Sequence, residues 1–119
     1  MELSYQPGLH LIGDIESKAV SKMRDHAECR TFIDEQISKH GLSKVGEVYH
    51  SFDGAGFTAT ICLTESHISI HTWPEFGKVT FDVFLSNFKK NNNHITEAIF
   101  EAIKNYFEST VIVKNTISR

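Results

Sequence analysis

Cysteine is scarce in this chain of 119 residues: Cys29 and Cys62 are the only two, far apart and outside any CxxC spacing. That excludes a disulfide framework and a cysteine zinc site. No apolar run approaches the roughly 20 residues that span a bilayer, and residues 1–7 hold no basic stretch followed by an apolar one. Neither a membrane span nor a signal peptide is therefore expected. A basic surplus is missing as well. The net charge is −3, with both signs scattered along the chain. A general nucleic-acid binder, which needs a basic face to displace counterions from phosphate, is excluded. Apart from Asn91-Asn92-Asn93 there is no linker, repeat or low-complexity tract. A reducing cytoplasm is the expected setting.

What is present suits one domain over residues 1–119. The 40% hydrophobic and 23% charged content is ordinary for a globular protein. A chain of this size buries roughly two-thirds of its unfolded surface, enough for a core without staples. The pattern predicts a first strand over 8–15 and a helix over 26–40, where Cys29, Ile33 and Ile37 recur every four residues before Gly41. Strands follow at 45–52, 56–64, 67–72 and 78–85. In the second of these Phe57, Ala59, Ile61 and Leu63 alternate with Thr58, Thr60 and Cys62. Residues 73–77 read as a turn. A second helix carries the stripe Ile95, Ile99, Ile103 and Phe107, and residues 110–114 read as a last short strand. Strands joined by short turns must run antiparallel. The expected class is α+β: a two-layer sandwich, a mostly antiparallel sheet with two helices on one face.

One segment departs from plain core patterning. Residues 64–75 read Thr-Glu-Ser-His-Ile-Ser-Ile-His-Thr-Trp-Pro-Glu, crowding two histidines, two serines, two glutamates and the only tryptophan into apparent β-structure. Polar groups are costly to bury without partners, so this cluster is either solvent-facing or functional. His67 and His71 have the spacing of a helical metal pair, with Glu65 or His50 as a third ligand. The segment reads as strand, so no metal is expected.

Glu65-Ser66-His67, three residues, then His71-Thr72-Trp73-Pro74-Glu75 resembles the hallmark of the bacterial, pyruvoyl-dependent S-adenosylmethionine decarboxylase proenzymes. The likeness extends to Gly8-Leu9-His10-Leu11, Tyr49-His50-Ser51-Phe52, Gly56-Phe57-Thr58 and Asp82-Val83-Phe84. It implies autocatalytic cleavage between Glu65 and Ser66 into a β chain 1–65 and an α chain 66–119. Ser66 would become a pyruvoyl cofactor that binds substrate as a Schiff base, with no metal. The resemblance assigns processing to His71 and Thr58, and nucleoside binding to Phe52, Trp73 and Glu75. For Phe52 and Trp73, plain core packing fits equally well. The family's proton-donor cysteine aligns with Ser86, and its Gly-Tyr pair is altered to Gly77-Lys78. A serine hydroxyl is a far weaker acid than a thiol near pKa 8.5.

The activity implied is decarboxylation of S-adenosylmethionine, a small molecule, to supply the aminopropyl donor of spermidine biosynthesis. The likeness also implies a homodimer with sites near the interface. Two alternatives stand beside it. One is a pyruvoyl decarboxylase of ornithine or arginine, with Glu47, Asp53 or Asp82 holding the distal amine. The other is an uncleaved, non-catalytic partner subunit. Ser66 and His71 are five residues apart and would face opposite sides of a regular strand. Bringing them together requires a strained turn at 65–66 or a bulge.

Overall fold

The computed structural model describes residues 4–119; residues 1–3, part of the stretch read for targeting signals, lie outside it. Strand β1 (Leu9–Ser17) is followed by a 3-10 turn (Val20–Met23) and helix α1 (His26–Lys39). Then come β2 (Lys44–Ser51), β3 (Phe57–Leu63), β4 (Ser66–Trp73), a second 3-10 turn (Pro74–Phe76) and β5 (Lys78–Leu85). Helix α2 (Asn93–Tyr106) and β6 (Ser109–Ser118) complete the order. The six strands form one sheet in the order β2-β3-β4-β5-β1-β6, every neighbouring pair antiparallel.

The expected class is what folds. Alternation sends Phe57, Ala59, Ile61 and Leu63 of β3, and Val79, Phe81, Val83 and Leu85 of β5, to one face of the sheet. Both helices cover that face, contributing Cys29, Ile33 and Ile37 from α1 and Ile95, Ile99, Phe100 and Ile103 from α2 to the same core. The other face has no second layer among the described residues, and Thr60, Cys62, His71 and Trp73 on it are exposed.

Local chemistry sets the helix ends. The Asp25 side chain accepts the Glu28 N–H at 3.1 Å and caps α1. Gly41, at φ +66°, closes it: Leu42 N–H reaches Ile37 O at 2.9 Å and Gly41 N–H reaches Ser38 O at 3.1 Å. Two features differ from the sequence reading. The last strand runs Ser109–Ser118 instead of 110–114, because β1 pairs with it as far as Leu9↔Ser118. That partner lies about a hundred residues away, and the exposed polar run Lys114-Asn115-Thr116 carries no apolar alternation to betray it. The 3-10 turn at Val20–Met23, which buries Met23, has no periodicity to read.

Candidate active site

The β3–β4 connection is a two-residue turn, Thr64-Glu65, closed by the pair Leu63↔Ser66. Glu65 adopts φ +56°, the left-handed region. A non-glycine residue there carries roughly 1–2 kcal/mol of strain, next to the Glu65–Ser66 peptide bond. From Ser66 onward β4 is regular. Ser66, Ile68, Ile70 and Thr72 share the helix-side face, while His67, Ser69, His71 and Trp73 share the bare one.

The Ser66 hydroxyl oxygen accepts the backbone N–H of Ser86 at 3.0 Å. Ser86 follows the end of β5 and is itself held: its hydroxyl accepts Phe88 N–H at 3.1 Å, and its carbonyl accepts Asn92 Nδ2 at 2.7 Å. Asn87 fastens the same loop by donating to Pro7 O and Asn93 Oδ1. Glu65, Ser66 and Ser86 line a cavity of about 460 Å³ that Lys89 and Lys90 also border.

A second constellation lies at the other end of β4. Thr58 and His71 are direct cross-strand partners, and the Thr58 hydroxyl hydrogen-bonds His71 Nδ1. Phe52, Thr58, His71, Trp73 and Glu75 line a separate cavity of about 300 Å³. Phe52 is 51% and Trp73 37% exposed, so core packing is not their role. Thr72 of the same motif is structural: its buried hydroxyl accepts Phe57 N–H at 2.8 Å and donates to Met23 O at 2.6 Å. Gly56 stands where any Cβ would lie 2.3 Å from Thr72 O.

The expected strained turn is present at Glu65, yet it does not carry His71 to Ser66. The pairings of β4 run without a bulge from Ser66 to Trp73. Five residues of strand separate the two by roughly 16 Å at about 3.3 Å per residue, on opposite faces. One chain thus holds two partial sites. Glu65, Ser66 and Ser86 form one; Thr58, His71, Phe52, Trp73 and Glu75 form the other.

A third cluster went unread in the sequence. His10 Nε2 and His67 Nε2 each lie 2.7 Å from Asp82 Oδ2. Arg119, which can only donate, reaches His10 Nδ1 at 3.1 Å. His10 therefore carries its proton on Nε2 and donates it to Asp82 Oδ2, the oxygen that His67 Nε2 also meets. The register supplies the signal, since His10 and His67 both stand opposite Phe84 across β5. Of the other two carboxylates considered for a distal amine, one is paired and one is free. Glu47 pairs with Arg30 at 2.5 Å and Lys44 at 2.8 Å, and Asp53 sits exposed in the β2–β3 turn. Of the cysteines, Cys62 is exposed on the bare face opposite His67. Cys29 is buried, and burial, with Glu28 and Asp25 adding to it, pushes its thiol up to about 12.

Against this geometry, the family model described as S-adenosylmethionine decarboxylase matches residues 9–119. An S-adenosylmethionine decarboxylase proenzyme of Persephonella marina is 38% identical over 98 residues, 82% of this chain and 73% of the relative. The proenzyme of that name from Archaeoglobus fulgidus is 38% identical over 77 residues, 65% of this chain and 69% of the relative. The crystal structure of the adenosylmethionine decarboxylase from Aquifex aeolicus superposes with a TM-score of 0.85 at 26% identity, covering 98% of this chain and 92% of that one.

Proposed function

The chain belongs to the S-adenosylmethionine decarboxylase family, and from that premise we propose that it is a self-cleaving proenzyme that decarboxylates S-adenosylmethionine. The observation that carries this reading is the Glu65–Ser66 junction. A left-handed, non-glycine residue immediately precedes a serine whose oxygen is held by a fixed backbone donor.

The residues fit the formation of a pyruvoyl group at position 66. Attack of Ser66 Oγ on the Glu65 carbonyl carbon moves the acyl group from nitrogen to oxygen, and breaking that bond releases the strain of the turn. Removal of the Ser66 α-proton and elimination of the ester then divide the chain into 1–65 and 66–119. The His71–Thr58 pair supplies the placed proton acceptor and donor. Once formed, the pyruvoyl group offers a carbonyl that takes up the substrate's amine and the electrons left by departing CO₂. Phe52 and Trp73 stack on adenine or the sulfonium, and Glu75 accepts ribose hydroxyls. Ser86 takes the position of the family's proton-donor cysteine, and its hydroxyl is the group we assign to returning the proton. The product is the aminopropyl donor for spermidine, made in the cytoplasm.

Because His71 of the same copy lies at the far end of β4, we propose a homodimer in which the His71–Thr58 pair of one copy serves Ser66 of the other. The uncovered sheet face bears His71, Trp73 and Cys62; Ser66, whose side chain lies on the helix side, would be reached at the end of β4. For the ornithine or arginine reading, Asp82 is held by two histidines and Glu47 by two cations, which leaves exposed Asp53 as its acceptor for the distal amine.

Intact mass and CO₂ release from S-adenosylmethionine, ornithine and arginine test the proposal. The expected result is two fragments, 1–65 and 66–119, the second lighter by one ammonia than a serine-started chain, with release from S-adenosylmethionine alone. Ser66→Ala should leave one inactive chain. A full-length, unmodified wild-type protein would overturn the reading.

A further inference from the structure

Among the described residues, the only hydrogen bond to Ser66 Oγ comes from the Ser86 backbone N–H, at 3.0 Å. That oxygen has two successive lives in the cleavage proposed above, on which this inference rests. It is first the nucleophile. After the acyl shift it is the bridging oxygen of an ester between Glu65 and the Ser66 side chain. In the elimination a base takes the Ser66 α-proton, and the C–H electron pair becomes the Cα–Cβ double bond. The Cβ–Oγ bond breaks with its pair going to Oγ. Oγ leaves as one oxygen of the new Glu65 carboxylate, and residue 66 remains as a dehydroalanine with a free amine, which water converts to the pyruvoyl group with loss of ammonia.

Negative charge thus develops on the atom toward which Ser86 N–H points. A preorganised backbone donor aimed at a developing oxyanion needs no reorganisation at the moment of reaction. The donor is rigidly placed: the Ser86 carbonyl is tied to Asn92, its hydroxyl to Phe88 N–H, and the adjoining Asn87 to Pro7 and Asn93. The same N–H withdraws electron density from Oγ before the shift, so it does not help the first step. We propose that the Ser86 backbone N–H is a catalytic group of self-cleavage, stabilising Ser66 Oγ as the leaving group of the elimination. The role belongs to the main chain; the side chain at 86 supplies only one of the several ties that hold the loop.

The test removes the N–H alone. Ser86→Pro deletes it. An α-hydroxy acid at position 86, giving a backbone ester, deletes it without the proline ring and decides the matter if the proline variant misfolds. Ser86→Ala retains it. Each protein is followed by mass spectrometry with and without hydroxylamine, which splits esters but not amides; cutting at the engineered 85/86 ester is told apart by mass. Expected is cleavage slowed by about 10² in both N–H-less proteins, with an accumulating ester that hydroxylamine splits at 65/66 to release a chain starting in unmodified serine. Ser86→Ala should accumulate no such ester. Wild-type rates without ester in the N–H-less proteins, or equal ester in Ser86→Ala, would overturn the inference. A wild-type chain that never cleaves would instead remove the reading beneath it.

Discussion

At its amino-terminal end β4 emerges from a strained two-residue turn, its serine on the helix-side face and tied to a backbone donor of the loop after β5. At its carboxy-terminal end it presents an exposed histidine bonded to a threonine, flanked by half-exposed aromatics on a sheet face that none of the described residues covers. The first end has the bond to be broken but, among the described residues, no titratable base within hydrogen-bonding distance of Ser66. The second has acid–base chemistry and a nucleoside-sized hollow but no bond to act on. A motif continuous in sequence is therefore divided in space, and the division follows from the strand geometry itself.

Breaking the second end should have the largest effect. His71→Ala is expected to slow cleavage by ~10²–10⁴, the usual worth of a placed proton-transfer group. The fold should survive, since His71 is exposed and contributes nothing to the core. Time-resolved mass spectrometry with a thermal melt checks both parts. Unchanged cleavage kinetics would make the histidine structural.

The first end is probed more gently by Glu65→Gly. Glycine occupies φ +56° freely, so the uncleaved precursor gains about 1 kcal/mol. In a Ser66→Ala background that should raise the melting temperature by about 4 °C. With Ser66 intact, loss of the strain should slow cleavage by up to about tenfold. Faster cleavage in the glycine variant would show that the turn does not drive the reaction.

Ser86→Cys should act only after cleavage, raising turnover on S-adenosylmethionine by a few-fold, the smallest of these effects. The sign of its pH dependence is fixed by the chemistry. Only the protonated thiol donates, so the gain should fade as pH rises through ~8.5. No gain in a fully cleaved Ser86→Cys protein would mean that another group returns the proton.

Much of this was legible in the sequence because it is local. The alternation of β3, the Ile95–Ile99–Ile103 stripe and the bounds of β5 are short-range consequences of periods 2 and 3.6. The hallmark spacing likewise announces Ser66 and His71. The opposite-face relation of those two also follows from counting residues, while the regularity of β4 between them does not. What stayed hidden depends on strand order. The His10–Asp82–His67 relay exists only because β5 lies between β1 and β4, and the extension of β6 only because β1 supplies its ladder. The contact between Ser66 Oγ and Ser86 N–H spans 20 residues and involves a backbone group, which no side-chain pattern can signal.

The division of the site between two copies is the central claim, and mixing tests it most directly. Ser66→Ala chains, which cannot cleave, and His71→Ala chains, which cleave slowly alone, would be co-expressed with distinguishable tags and weighed intact. If one copy's His71 serves the other copy's Ser66, the His71→Ala chain should be cut at 65/66 faster than it is alone, while the Ser66→Ala chain stays whole. If the His71→Ala chain is cut no faster in a mixed dimer, the two halves do not meet across copies, and the account is contradicted.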